Sequence, residues 1–220
     1  MRQFLRDNGL SVALFILFLI SILGQAVAGW RALVEELRFH EQPPVGFAAY
    51  LTTGHFLSAT FENWESEFLQ MSVYVLLTAV LVQKGSPESK KPDEANPEDE
   101  APDKRRAELD APWPVHRGGL LLRLYSHSLS IALLVLLALS FWLHLAGSTR
   151  RSNEEALRHY QPTKTMTETL VEPEFWYESF QNWQSEFLSM GALVVLGIVL
   201  RERGSPESKP VAAPHAKTGH

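Results

Sequence analysis

The sequence contains no cysteine. That excludes disulfides, thiolate metal sites, iron–sulfur clusters and a cysteine nucleophile, so any segment outside a membrane must be held by packing and lipid alone. It has no glycine-rich phosphate loop, no His-Glu-x-x-His and no Gly-x-Ser-x-Gly, the usual marks of nucleotide, zinc-protease and hydrolase chemistry. No basic face with interleaved aromatics exists, so nucleic acid is not an expected partner. No proline interrupts an apolar stretch, and a broken helix at mid-membrane is the usual pointer to a transport site. The expectation is a chain that is not an enzyme, with no cofactor and no metal.

What is present is segregation. Charged residues make up 20% of the chain and the net charge is −5, averages that suit a soluble protein. The apolar residues nevertheless fall into four blocks, residues 10–29, 68–82, 129–146 and 187–200. A bilayer core of about 30 Å needs roughly 20 helical residues. The first and third blocks are long enough. The second and fourth reach that length only if their helices begin earlier, near Phe61 and Phe180, with Thr60 and Ser179 as hydroxyl N-caps. Gly85 and Gly204 then stand where a C-terminal cap belongs, with Pro87 and Pro206 just beyond. The first block follows Arg2 and Arg6 and resembles a signal peptide, but it is long for one and belongs to a repeat, so a retained helix is expected.

The repeat is found by shifting the chain 119 residues against itself, so that residues 61–90 align with 180–209 without a gap and 18 of 30 positions are identical. The shift also pairs His40 with His159, Gln42 with Gln161 and Glu35-Glu36 with Glu154-Glu155. This predicts an all-α integral membrane four-helix bundle, built from a tandem, parallel two-helix repeat with helical outer loops. Short helices are expected in those loops, near 33–39 and 153–160. The repeats occupy residues 1–90 and 118–209. Between them lies a linker, 91–117, rich in Pro, Glu, Asp, Lys and Ala and expected to be disordered. Residues 210–220 form a flexible tail.

Orientation follows from the basic residues. Of the 20 Lys and Arg, 14 lie in the N-terminus, the segment 83–123 and the tail from Arg201, so both termini and the linker are expected in the cytoplasm. Trp30, Trp64, Trp142, Trp176 and Trp183 all fall on the opposite side, as an interfacial aromatic belt requires.

The run Asn-Trp-x-Ser-Glu-Phe-Leu-x-Met, at 63–71 and 182–190, is followed each time by Gly-Ser-Pro-Glu-Ser-Lys. This pattern resembles a bacterial family of small duplicated four-helix membrane proteins described as a domain of unknown function. The resemblance spans nearly the whole chain outside 91–115 and the last ten residues. It implies a bacterial inner-membrane location, and it brings no activity, cofactor or catalytic residue with it.

Three sets of matched residues are candidates for function. Glu67 and Glu186, with Asn63 and Asn182 one turn earlier, are read either as an ion or proton site or as carboxylates reaching headgroup water. His40, His159, Gln42 and Gln161 form a candidate polar cluster in the loops, without the short ligand spacing of a metal site. Ser86, Pro87 and Glu88, repeated as Ser205, Pro206 and Glu207, are a candidate cytoplasmic docking motif. Gln25 and His144, equivalent positions near the outer ends of the first and third spans, read as helix-packing groups. The expected partners are the lipid bilayer and another membrane protein or a second copy. The expected role is structural or accessory; the alternative is a small transporter or channel using Glu67 and Glu186.

Overall fold

A computed structural model describes residues 2–92 and 94–219. Met1, Asp93 and His220, which fall in the first repeat, the linker and the tail of the sequence reading, lie outside the described residues. The chain is all-α, and no strand occurs among the described residues. Four long helices dominate: α1 (Arg2–Phe39), α3 (Gly54–Val80), α6 (Ser128–Arg158) and α8 (Pro173–Val199). Short ones lie between them: α2 (Phe47–Tyr50), α4 (Trp113–Arg117), α5 (Gly119–Ser126) and α7 (Met166–Leu170). Two of the long helices, α1 and α6, are long and apolar enough to cross a membrane.

Two expectations about these helices need correction. First, the short loop helices at 33–39 and 153–160 are not separate elements; they continue α1 and α6. Charged residues at 31–38 and 150–158 change a helix's exposed face without ending it, and no proline follows until Pro43 and Pro162. Second, α3 and α8 begin at Gly54 and Pro173, about two turns before Phe61 and Phe180. Thr60 and Ser179 are therefore interior residues, not N-caps, and the Thr60 hydroxyl accepts from Gln25 Nε2 at 3.2 Å. Residues 91–117 contain 3-10 turns at Pro97–Asp99 and Pro102–Arg105 and end in α4. Asn96 pins this segment by accepting from the Lys91 amide at 2.9 Å and donating to the Lys91 carbonyl at 3.1 Å.

Positions 119 apart repeat local geometry. α1 is broken at Asn8 (φ −128°, ψ 16°), and the same break, at His127 (φ −117°, ψ 12°), separates α5 from α6. At the other ends, Glu41 and Tyr160 adopt φ of 56° and 55°. The Gln42 amide donates to Leu37 O and the Gln161 amide to Ala156 O, each at 2.8 Å. Both helices thus close in a Schellman motif, with a side chain in the left-handed region that favours glycine or asparagine.

The chain divides into two compact units, Met1–Phe61 with Trp142–Phe175 and Glu62–Phe141 with Trp176–His220. In the first, Leu33, Leu37 and Tyr50 form the core, with Trp30, Val45, Leu51 and Phe56 packed on it. Backbones approach closely there. A Cβ at Gly54 would lie 2.0 Å from Arg151 N, and one at Gly147 2.5 Å from Ser58 N. Beside that contact the Ser58 and Ser148 hydroxyls share a buried 2.8 Å hydrogen bond. The loop after α6 is held by Asn153, which exchanges two hydrogen bonds with the Lys164 backbone, and by a Thr165–Glu168 capping box. In the second unit, Gln70 Nε2 donates to Glu186 O at 2.9 Å and to Ser189 Oγ, its own counterpart, at 3.3 Å.

Candidate functional site

In the first unit the upper turns of α1, α3 and α6 enclose a polar cavity of about 230 Å³, lined by Glu36, His55, Arg151, Glu154, Glu155 and Arg158. Arg158 reaches Glu36 at 3.7 Å, and Glu154 accepts from Arg150 at 2.7 Å and from the Gly54 amide at 3.1 Å. The last contact caps the first turn of α3, whose glycine is required by the close approach of α6. Behind the cavity lies Tyr50, 1% exposed, with its hydroxyl 3.2 Å from His55 Nδ1. Gly29 makes room for that phenol: a Cβ there would stand 2.1 Å from the Tyr50 oxygen. Burial, and next the Arg151 charge, hold the His55 imidazole below the usual histidine range, with Glu36 pulling weakly the other way. The cavity therefore offers an imidazole, guanidinium donors and carboxylate acceptors. It contains no serine, threonine or lysine nucleophile.

His40 and His159 meet in this unit. Their rings stand 6.3 Å apart, edge to face. Gln42 and Gln161 serve through their backbone amides, as the closing donors of the Schellman motifs. Gln25 bonds Thr60, and His144 stacks on Phe175 with ring centres 4.7 Å apart.

In the second unit the matched acids differ. Glu67 is exposed and Glu186 half-buried. Asn182 donates to the Glu62 carboxylate and to Glu178 O, so its amide serves Glu62; Asn63 is exposed. The acid that is fully buried is Glu65, which accepts from Trp183 Nε1 at 3.0 Å. Comparing the two repeats passes over it because its counterpart is Gln184. Nearby, α3 and α8 line an apolar cavity of about 370 Å³, closed at one end by Ser86, Glu88 and Ser89, where Tyr74 donates to Glu88 at 3.3 Å.

Both Gly-Ser-Pro-Glu-Ser-Lys segments fold alike. Ser86 N donates to Gln83 O and Ser205 N to Glu202 O, closing turns whose third residue, Gly85 or Gly204, has φ of 88° or 90°. The sequence expectation of helix caps at these glycines is corrected to turns just beyond the helix ends, a second use of the same left-handed freedom. Ser89 and Ser208 then accept from the Gln83 and Glu202 amides at 2.8 and 2.9 Å.

No curated protein and no solved structure matches the chain. A family model described as "Domain of unknown function (DUF6766)" matches residues 1–220, and the chain belongs to that family.

Proposed function

We propose that the chain is a four-span protein of the bacterial inner membrane, with both termini in the cytoplasm, that it is not an enzyme, and that it acts as a structural or accessory protein through protein contacts. The observation that carries this is the exposure of its most apolar surface. Only 6% of the apolar window of α1 and 17% of that of α6 is buried. Leaving such faces in water costs about 25 cal/mol per Å², so they call for lipid or another protein. α3 and α8, at 27 residues each, are about 40 Å long and expose Leu76, Leu77 and Val80, and Leu193, Leu196 and Val199, in their second halves. Contacts between counterparts, His40 with His159 and Gln70 with Ser189, support a two-fold pairing of the repeats. On α8 the Trp176, Phe180 and Trp183 rings pack on one another with Phe180 exposed, an aromatic surface suited to the headgroup region or to a partner.

Topology reporters test the spans. Fusions after Val45 and Lys164 are expected outside, and fusions after Glu98 and His220 inside; an external signal after Glu98 defeats the four-span reading. Pull-down in mild detergent with mass spectrometry tests the role, with a stoichiometric partner expected. A chain recovered alone that passes ions in proteoliposomes would defeat the accessory role.

A further inference from the structure

The apolar cavity between α3 and α8 runs along one face of each helix. Gln70, Val73, Leu77 and Leu81 line it from α3 and the residue just past its end, and Phe187, Gly191 and Val194 from α8, both sets at three- and four-residue spacing. From Gln70 to Leu81 is about 16 Å of helix. At its Gln83 end a second, polar cavity of about 680 Å³ adjoins it, since Thr78, Glu88 and Ser89 line both. The walls of this second cavity carry both signs of charge: Lys90 and Lys91 against Glu88, Glu98 and Asp99. Lys90 Nζ donates to Ala79 O and to Asp99 Oδ1, each at 2.7 Å, and Lys91 Nζ pairs with Glu94 at 3.1 Å. An ammonium has three N–H groups, so both lysines can serve a further acceptor.

We propose that the two cavities form one site for a phospholipid with a phosphoethanolamine head: an acyl chain in the apolar cavity, the phosphate at Lys90 and Lys91, and the head-group ammonium at Glu88. This rests on the reading of α3 and α8 as membrane spans. Size supports it. A length of about 16 Å is half of a hydrocarbon core about 30 Å thick, the depth of one leaflet. A volume of about 370 Å³ is that of a ligand pocket. A void lined by leucine, valine and phenylalanine does not favour water, and an acyl chain is the apolar matter a bilayer offers. The polar end lies at Gln83, where the basic segment 83–123 begins and lipid heads are expected. Charge selects the head. A phosphoglycerol head brings no cation to the acids, and a trimethylammonium has no N–H to donate, whereas a primary ammonium has three. Gly191 keeps the chain's place open: a Cβ there would meet nothing within 4 Å.

Native mass spectrometry of the full-length protein in detergent, titrated with lipids of matched chains, tests the site. One phosphatidylethanolamine per chain is expected, held at least ~10-fold tighter than phosphatidylglycerol or phosphatidylcholine, as one charge-assisted hydrogen bond would give. Gly191→Leu should fill the cavity and weaken phosphatidylethanolamine binding at least ~10-fold. Its unfolding temperature should be unchanged or higher, because leucine is the better helix former. Glu88→Gln should erase the advantage over phosphatidylcholine. Lys90→Gln with Lys91→Gln should weaken phosphatidylethanolamine by ~10-fold. Lys104→Gln, at a residue lining neither cavity, should change nothing. Equal retention of the three lipids would mean annular lipid only and would overturn the proposal. So would parental binding by Gly191→Leu, or a second copy of the chain held in place of lipid. These readings are made in detergent, so they stand or fall apart from the topology reporters that test the spans.

Discussion

Gly85–Lys90 and Gly204–Lys209 have the same six residues and fold into the same hydrogen-bonded turn, yet different ends of the two copies are packed. In the first copy Gly85, Ser86 and Pro87 are buried; in the second Gly204 and Pro206 are exposed. The lysines reverse the pattern. Lys90 is partly exposed and pairs with Asp99 at 2.7 Å. Lys209 is fully buried and donates to Gly85 O, His215 O and Lys217 O at 2.6, 2.9 and 3.1 Å. The chain's tail, from Lys209 to Gly219, thus folds over the first turn, with Gly219 N donating to Ser86 O at 2.9 Å and Gly85 N to Thr218 at 2.8 Å. Six residues determine a turn's internal bonds; what they are worth depends on what the rest of the chain lays against them.

The largest test of that contrast is the lysine pair. Lys209→Met leaves three carbonyls without their donor and should cost about 2–3 kcal/mol, while Lys90→Met, breaking a partly exposed ion pair and one exposed contact to Ala79 O at 2.7 Å, should cost about 1 kcal/mol. Thermal unfolding followed by tryptophan fluorescence in detergent measures both, and equal losses would break the comparison. The glycines come next. Alanine at either turn meets the same positive φ, at about 1 kcal/mol. At Gly85 its Cβ also meets His215 O at 3.0 Å and Ile198 Cγ2 at 3.1 Å, whereas nothing lies within 4 Å at Gly204. Gly85→Ala should therefore lose about 1 kcal/mol more than Gly204→Ala.

Two tests should give matched results. Ser89→Ala and Ser208→Ala each remove an acceptor from a backbone amide and should cost the same, about 1 kcal/mol; a clear inequality would mean that the internal bonds also depend on context. Likewise Glu41→Gly and Tyr160→Gly should each stabilise by about 0.5–1 kcal/mol, relieving the left-handed closure of α1 and α6. The smallest effect is alkaline. Burial first, then Arg201 and Lys217, hold Lys209 below the usual lysine range, so the unfolded chain binds more protons there. Stability should rise with pH through the window just under lysine's ordinary value of about 10.4, and the Lys209→Met variant should lack that rise.

Much of this was legible in the sequence. The four long helices follow from apolar blocks without proline, and the paired turns from two copies of one motif. The helix starts are not visible in the apolar blocks, because such a block marks where a helix meets lipid or core, not where its hydrogen bonds begin. Pro173, a residue suited to a first helical turn, was a usable signal. Gly54 was not, since its reason is the Arg151 backbone beside it. Glu65 escaped because agreement between repeats selects what the copies share, and its partner Trp183 becomes visible only in three dimensions. The meeting of His40 and His159 was likewise beyond the sequence, since register along a chain does not say which helix ends converge.

The breaks at Asn8 and His127 carry a mechanical consequence. From Gly9 to Phe39 is 31 residues, and α6 is 31 residues as well, so both straight runs measure about 46 Å. In the proposed membrane reading, a hydrocarbon slab about 30 Å thick takes up some 20 of those residues in each. Roughly three turns of each helix then stand clear of it, like two posts cut to one height. A thicker or thinner bilayer would change how much post is showing, and by the same amount on both, without altering the distance between their tips.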